Sequence, residues 1–154
     1  MADIVEASLP GLIEQARALF REYERWVGEP CCFAGFEREL AELPGEYGAP
    51  AGRLLLAVED GAAAGCVALR RLQGDTLEMK RLYVRPQYRG RGLGRRLAEA
   101  AVGAARAAGG GTLVLDTLPK MSPAIALYGA LGFVSRGPYA ALPTPGALFF
   151  ELRL

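Results

Sequence analysis

The chain has 154 residues, 51% of them hydrophobic and 23% charged, and its 18 Lys and Arg against 17 Asp and Glu leave a net charge of +1. This balance predicts one globular domain over residues 1–154 and excludes a disordered polyelectrolyte or a protein built around a polyanion. There is no histidine, which excludes Ser-His-Asp and Cys-His nucleophile pairs and His-ligated zinc; any acid or base must be a carboxylate, Tyr, Cys, Lys or water.

Cys31, Cys32 and Cys66 are odd in number and lack C-x-x-C spacing, which predicts reduced thiols, no metal site and a cytoplasmic protein. The opening MADIVEASLP has no basic stretch followed by an apolar one, and no run of about 18 apolar residues occurs, so neither secretion nor a membrane span is expected.

In chain order, residues 3–7 predict a short strand, and Ser8 is placed to cap a helix whose apolar positions Leu12, Ile13, Ala16, Leu19, Phe20 and Tyr23 recur at three and four, ending near Trp26. Phe33, Phe36, Leu40 and Leu43 predict a shorter helix stopped by Pro44 and Gly45. Residues 53–59 and 64–72 flank Asp60-Gly61, a hairpin signal, and a second turn at Gly74-Asp75 leads into residues 76–84, giving three successive antiparallel strands. From Gly92 the period becomes helical through Leu93, Leu97, Ala101, Ala104 and Ala108, until the glycines at 109–111. Residues 112–116 predict a buried strand parallel to the previous one, followed by a helix from Ser122 or Pro123 to Leu131, capped by Gly132, and strands at 133–136 and 147–154. The sum is an α/β (α+β) domain: a mixed, mostly antiparallel sheet of six to seven strands with helices on both faces.

The segment richest in chemistry is Arg89-Gly90-Arg91-Gly92-Leu93-Gly94-Arg95, between a strand and a helix. Such a loop directs free backbone N–H groups and the positive end of a helix dipole at one spot, which suits phosphate. It is not a Rossmann G-x-G-x-x-G, because Arg95 stands where the third glycine would be, nor a Walker A loop, which needs G-K-[ST]. The plainer reading is a glycine-eased turn with solvated arginines. A nucleic-acid surface draws little support from a charge of +1.

This segment resembles the R/Q-x-x-G-x-G/A fingerprint of the GNAT superfamily of acetyl-CoA-dependent N-acetyltransferases, and Ala124-Ile125-Ala126-Leu127-Tyr128-Gly129-Ala130-Leu131-Gly132-Phe133 resembles that family's A-x-x-L-Y-x-x-x-G-F signature. Met121 departs from the pattern, occupying a place where the family often has Asn. The resemblance implies a GNAT-like acyl-CoA N-acyltransferase fold, acetyl-CoA as cosubstrate without a metal, and a small-molecule amine as acceptor, with neither nucleic acid nor membrane as partner and a homodimer by family habit. It implies that the N–H groups from Arg89 to Arg95 (Gly90, Arg91, Gly92, Leu93 and Gly94 between them) cradle the pyrophosphate, with Arg89, Arg91, Arg95 and Arg96 adding side-chain contacts. Leu82, Tyr83 and Val84 would serve the pantetheine arm, the Leu82 N–H facing the thioester oxygen.

Strand parity places Glu78 on the same side as Leu82 and Val84, and it precedes Arg89 by eleven positions, which resembles the base glutamate of some family members. Its alternative is a solvated glutamate paired with Lys80 or Arg70. Tyr128 resembles the family tyrosine that protonates the departing thiolate, and its alternative is a core aromatic. Cys66 reads as a packed thiol, and Asp116, at the end of a buried strand, either contacts ligand or caps a turn. The acceptor is expected between residues 26–36 and 137–146. A non-catalytic CoA-binding sensor, or an acetyltransferase acting on a protein amine, would carry the same phosphate loop.

Overall fold

The structure is a computed structural model and describes residues 1–140 and 143–154. The amphipathic segment that follows β1 (Asp3–Glu6) forms α1 (Pro10–Val27), which buries Ala16, Leu19 and Phe20. The start is not capped by Ser8: Leu9 is the N-cap and Pro10 opens the helix, its fixed φ suited to the first turn and its missing N–H needing no partner. The second helical stretch splits into a 3-10 turn at Pro30–Phe33 and α2 (Phe36–Ala41), because Gly35 between them adopts a φ of 73°.

The antiparallel run is β2 (Arg53–Glu59), β3 (Ala62–Gln73) and β4 (Thr76–Val84), with Asp60 and Gly61 both at positive φ in the first turn as a type I′ hairpin requires. There follow α3 (Leu93–Ala107), β5 (Thr112–Thr117), α4 (Ser122–Ala130), β6 (Val134–Arg136) and β7 (Leu148–Arg153). The described strands make one seven-stranded sheet in the order β1-β2-β3-β4-β5-β7-β6, with the β4–β5 pair parallel and the rest antiparallel.

Two apolar layers cover it. On one face Leu19, Phe20, Phe36 and Leu40 pack on Leu54, Leu56, Cys66 and Ala68; on the other Leu97, Ala101 and Ala105 pack on Val67, Leu69, Leu77 and Leu113. Full burial of each such Leu or Phe contributes about 1.5–3 kcal/mol. None of the described helices is long and apolar enough to cross a membrane.

Two departures from regular pairing shape the centre. Arg81 sits at a φ of 62°, and the β3–β4 register shifts between the pairs Ala68↔Lys80 and Cys66↔Tyr83, so β4 carries a bulge. Moreover, β4 and β5 pair only at Thr76↔Thr112, Leu77↔Leu113 and Glu78↔Val114; beyond that the two parallel strands part.

Candidate active site

The expectation that Glu78, Leu82 and Val84 share a face is overturned. The extra residue at the bulge inverts the alternation, so Glu78 and Lys80 lie on the α1/α2 face with Tyr83, whereas Leu82 and Val84 pack on the α3 face. Glu78 and Leu82 still meet, because the parted strands leave a cavity of about 280 Å³ that passes through the sheet. Glu78, Lys80, Arg81 and Asp116 line it from one face, and Met79, Leu82 and Tyr128 from the other. Val27, Cys31, Cys32 and Ala34 close it on one side, and Ala140, Pro143, Thr144 and Ala147 on another. Apart from Ala147, these residues lie in the segments 26–36 and 137–146 expected to meet the acceptor, of which Ala141 and Leu142 lie outside the described residues.

Glu78 is a buried carboxylate, 3% exposed, not a solvated one. Its Oε1 accepts from Arg70 Nε at 2.7 Å and its Oε2 from the Tyr139 hydroxyl at 2.5 Å. Arg70 also donates to Glu46 at 2.8 Å, and burial together with the Glu78 charge holds the Tyr139 phenol far above its ordinary range. A carboxylate can accept about four hydrogen bonds, so two partners leave Glu78 room for another. Tyr139, 61 residues distant in sequence, carries no local signal that sequence reasoning could have used.

Tyr128, on α4, is 6% exposed and packs on Phe133 and Phe150 with ring centroids 5.7 and 6.3 Å away, so it is both a core aromatic and a wall of the cavity. Burial, with Tyr23 and Asp116 nearby, pushes its hydroxyl well above the usual phenol range, so it holds its proton. Met121, the N-cap of α4, also lines the cavity. Cys66 is buried, its thiol donates to the Arg81 carbonyl at 3.2 Å, and burial raises it far beyond a reactive range.

The backbone of β4 past the bulge is oriented by its neighbours. The Arg85 N–H bonds to the Ala64 carbonyl in β3 at 2.8 Å, so strand alternation turns the backbone groups of Val84 and Leu82 the other way, toward the gap. The Val84 carbonyl there accepts from Arg89 Nε at 2.9 Å. Tyr83 pairs with Cys66 of β3, and its ring lies between Tyr23 and Trp26, each 5.8 Å away, so neither backbone nor ring faces the gap.

The glycine loop runs from Arg89 to the N-terminus of α3. Gly90 and Gly92 adopt φ of 80° and 76°, and the first helical hydrogen bond is Arg96 N–H to the Gly92 carbonyl, which leaves the Leu93, Gly94 and Arg95 N–H groups without helical partners. Gly94 has ordinary helical φ, and a Cβ added there would meet nothing closer than Val84 Cγ2 at 3.9 Å. Chain packing gives no reason for glycine at 94, whereas a phosphate on these N–H groups does.

The arginines around the loop are partly engaged. Arg89 stacks over Trp26 at 4.9 Å, Arg91 pairs with Glu59 at 3.3 Å, and Arg95 with Glu99 at 3.6 Å. Leu93 turns its side chain into the α3 core layer and offers only its N–H to the loop.

The parallel strand pair thus forks next to a helix N-terminus, and the cavity at the fork carries a carboxylate and a phenol. The acetyltransferase (GNAT) family matches residues 13–133. An uncharacterized N-acetyltransferase of Schizosaccharomyces pombe is 36% identical over 153 residues, which covers 98% of this chain and 94% of that one. A solved structure from Klebsiella pneumoniae, assigned as an acyl-CoA N-acyltransferase, superposes with a TM-score of 0.79 at 29% identity, over 100% of this chain and 98% of that one. A Salmonella typhimurium acetyltransferase solved with its cofactor acetyl-CoA shares the fold, with a TM-score of 0.73 at 20% identity over 99% and 93% of the two chains. The chain belongs to the GNAT acetyltransferase family.

Proposed function

We propose that the protein transfers the acetyl group of acetyl-CoA to a primary amine of a small molecule, by direct attack within a ternary complex and without a metal. The observation that carries this reading is the fork between β4 and β5, which opens onto one cavity lined by Leu82, Glu78 and Tyr128. The phosphate cradle beside it, with open space at Gly90, Gly92 and Gly94, fits the pyrophosphate of the donor. Acetyl-CoA, when bound, supplies an activated thioester carbonyl.

The chain's own groups then divide the work. Backbone N–H groups from Gly90 to Arg95 hold the phosphates, and the outward-turned backbone of Leu82 and Val84 supplies an edge for the pantetheine arm. The Leu82 N–H donates where negative charge develops on the carbonyl oxygen. Glu78, fixed by Arg70 and Tyr139, takes the ammonium proton of the acceptor directly or through one water. Tyr128 keeps its hydroxyl proton in hand for the departing sulfur.

The test is the rate of free-thiol release from acetyl-CoA with an amine panel, measured against pH for the wild type and Glu78→Gln. An alkyl amine with a pKa near about 10 is almost wholly protonated at neutral pH, so loss of the base costs about 10² to 10⁴ in rate there. The deficit shrinks by about pH 9.5 to 10, where the amine deprotonates unaided. Parallel curves with no loss at pH 7 would return Glu78 to a structural role, and no thiol release with any amine would leave a donor-binding protein without transferase activity.

A further inference from the structure

We propose that the acceptor is a zwitterion of the α-amino acid class, its carboxylate held by Lys80 and its ammonium by Asp116. This rests on the acetyl-transfer reading and follows from an account of every charge that lines the cavity. Arg81 is committed: its guanidinium donates from Nε and Nη2 to the two oxygens of Glu39, both at 2.9 Å, and lies over the rings of Phe33 and Phe36 at 4.7 and 5.3 Å. That consumes Glu39 as well. Arg70 is shared between Glu46 and Glu78, and Glu78 takes Tyr139 on its second oxygen. Lys80 and Asp116 remain, and neither enters an ion pair with any described residue.

The fold explains why these two stay apart. Glu78 and Val114 form the last rung of the β4–β5 ladder, so two residues further on Lys80 and Asp116 leave the same face on opposite sides of the fork. Had the ladder continued, they would be cross-strand neighbours of opposite charge, a pairing that sheets favour. The strands part there instead and hold a cation and an anion on either side of an open cavity. Lys80 is half-buried and Asp116 opens to the cavity; desolvation there lowers Lys80 and, with the Glu78 charge, raises Asp116, so each gains from a partner of opposite sign. A ligand with an ammonium and a carboxylate on one carbon satisfies both and brings its amine beside Glu78. The apolar wall of Val27, Leu118, Met121 and Ala147 leaves space for an uncharged side chain.

The experiment compares leucine, phenylalanine and glycine with their methyl esters, which keep the amine and lose the carboxylate, at saturating acetyl-CoA. Expected is a kcat/KM about tenfold to a hundredfold higher for the free acids, as for loss of one charge-assisted contact. In Lys80→Met the acid-to-ester ratio falls toward one, chiefly through the KM of the acids. Esters served as well as acids by the wild type, or a ratio unchanged in Lys80→Met, would overturn the proposal. Calorimetry with the same compounds separates it from the reading beneath it. Carboxylate-dependent binding that Lys80→Met abolishes, without thiol release, would uphold the zwitterion site and refute acetyl transfer; thiol release confined to amines lacking a carboxylate would do the reverse.

Discussion

Replacing Gly94 with alanine separates what the chain needs from what the donor needs. In most glycine positions of a ligand loop the two are confounded; Gly92, at a φ of 76°, would strain any side chain whether or not phosphate approached. Gly94 lies inside the first turn of α3 with ordinary φ, and the added methyl would meet only Val84 Cγ2 at 3.9 Å, an ordinary van der Waals contact. Alanine is the better helix former by up to about 1 kcal/mol, so stability should hold or rise, with Tm moving up by at most about 4 °C for a chain of this size. A phosphate seated on the N–H groups of Leu93, Gly94 and Arg95 would be displaced by the methyl, and loss of one or two hydrogen bonds to a charged group costs about 1.5–3 kcal/mol, or roughly tenfold to a hundredfold in affinity. Thermal unfolding and calorimetric titration with acetyl-CoA on the same preparations give both quantities. A Gly94→Ala protein with raised Tm and wild-type affinity would refute the assignment of this loop to the pyrophosphate, since misfolding could not be blamed.

Tyr128→Phe keeps the ring contacts with Phe133 and Phe150 and removes only the hydroxyl, so acetyl-CoA affinity should persist while kcat falls about 10²-fold, read by single-turnover and steady-state thiol release; an unchanged kcat would leave that proton transfer to water. Stability should also fall at alkaline pH, because burial pushes Tyr23 up to about 12 and holds Tyr47 and Tyr128 higher, whereas an unfolded tyrosine titrates near about 10. A raised folded pKa means that the unfolded chain releases the proton first. The contribution is therefore complete below about pH 10 and drains at about 1.4 kcal/mol per pH unit for each such group as pH rises toward the folded value. Urea midpoints from about pH 8 to 12 for the wild type and Tyr23→Phe measure this, and coincident, flat midpoints above about pH 10 would contradict it.

Much of the fold was legible because its signals are local. The change of period at Gly92, the Asp60-Gly61 turn, and the short apolar run before Asp116 each report their structure within a few residues. The glycine loop leading into α3 was legible for the same reason. The bulge at Arg81 was not: a non-glycine residue at positive φ leaves no mark in composition, and its guanidinium is held by Phe33, Phe36 and Glu39, which lie far away in sequence. From that one residue came the wrong face for Glu78. The partners of Glu78 were half visible, since Arg70 lies across a predicted hairpin, whereas Tyr139 arrives from the connection before β7. That Lys80 and Asp116 do not pair with each other depends on where the β4–β5 ladder stops, a property of strand divergence that neither strand's residues announce.

The bulge also constrains how this chain can change length. Ahead of Arg81, β4 directs Glu78 and Lys80 to one face; behind it, the same strand directs Leu82 and Val84 to the other and turns their backbone groups to the gap. Deleting Arg81 would restore regular alternation and keep Tyr83 opposite Cys66 with Leu82 and Val84 on their present face, whereas deleting Leu82 or Tyr83 would turn the strand that follows onto the wrong face. The first deletion costs the guanidinium held by Glu39, Phe33 and Phe36; the second turns the backbone edge that follows Arg81 away from the gap. The count of residues in β4 on either side of the bulge is thus as much a part of the site as the residues themselves, and those positions should tolerate substitution far better than insertion or deletion.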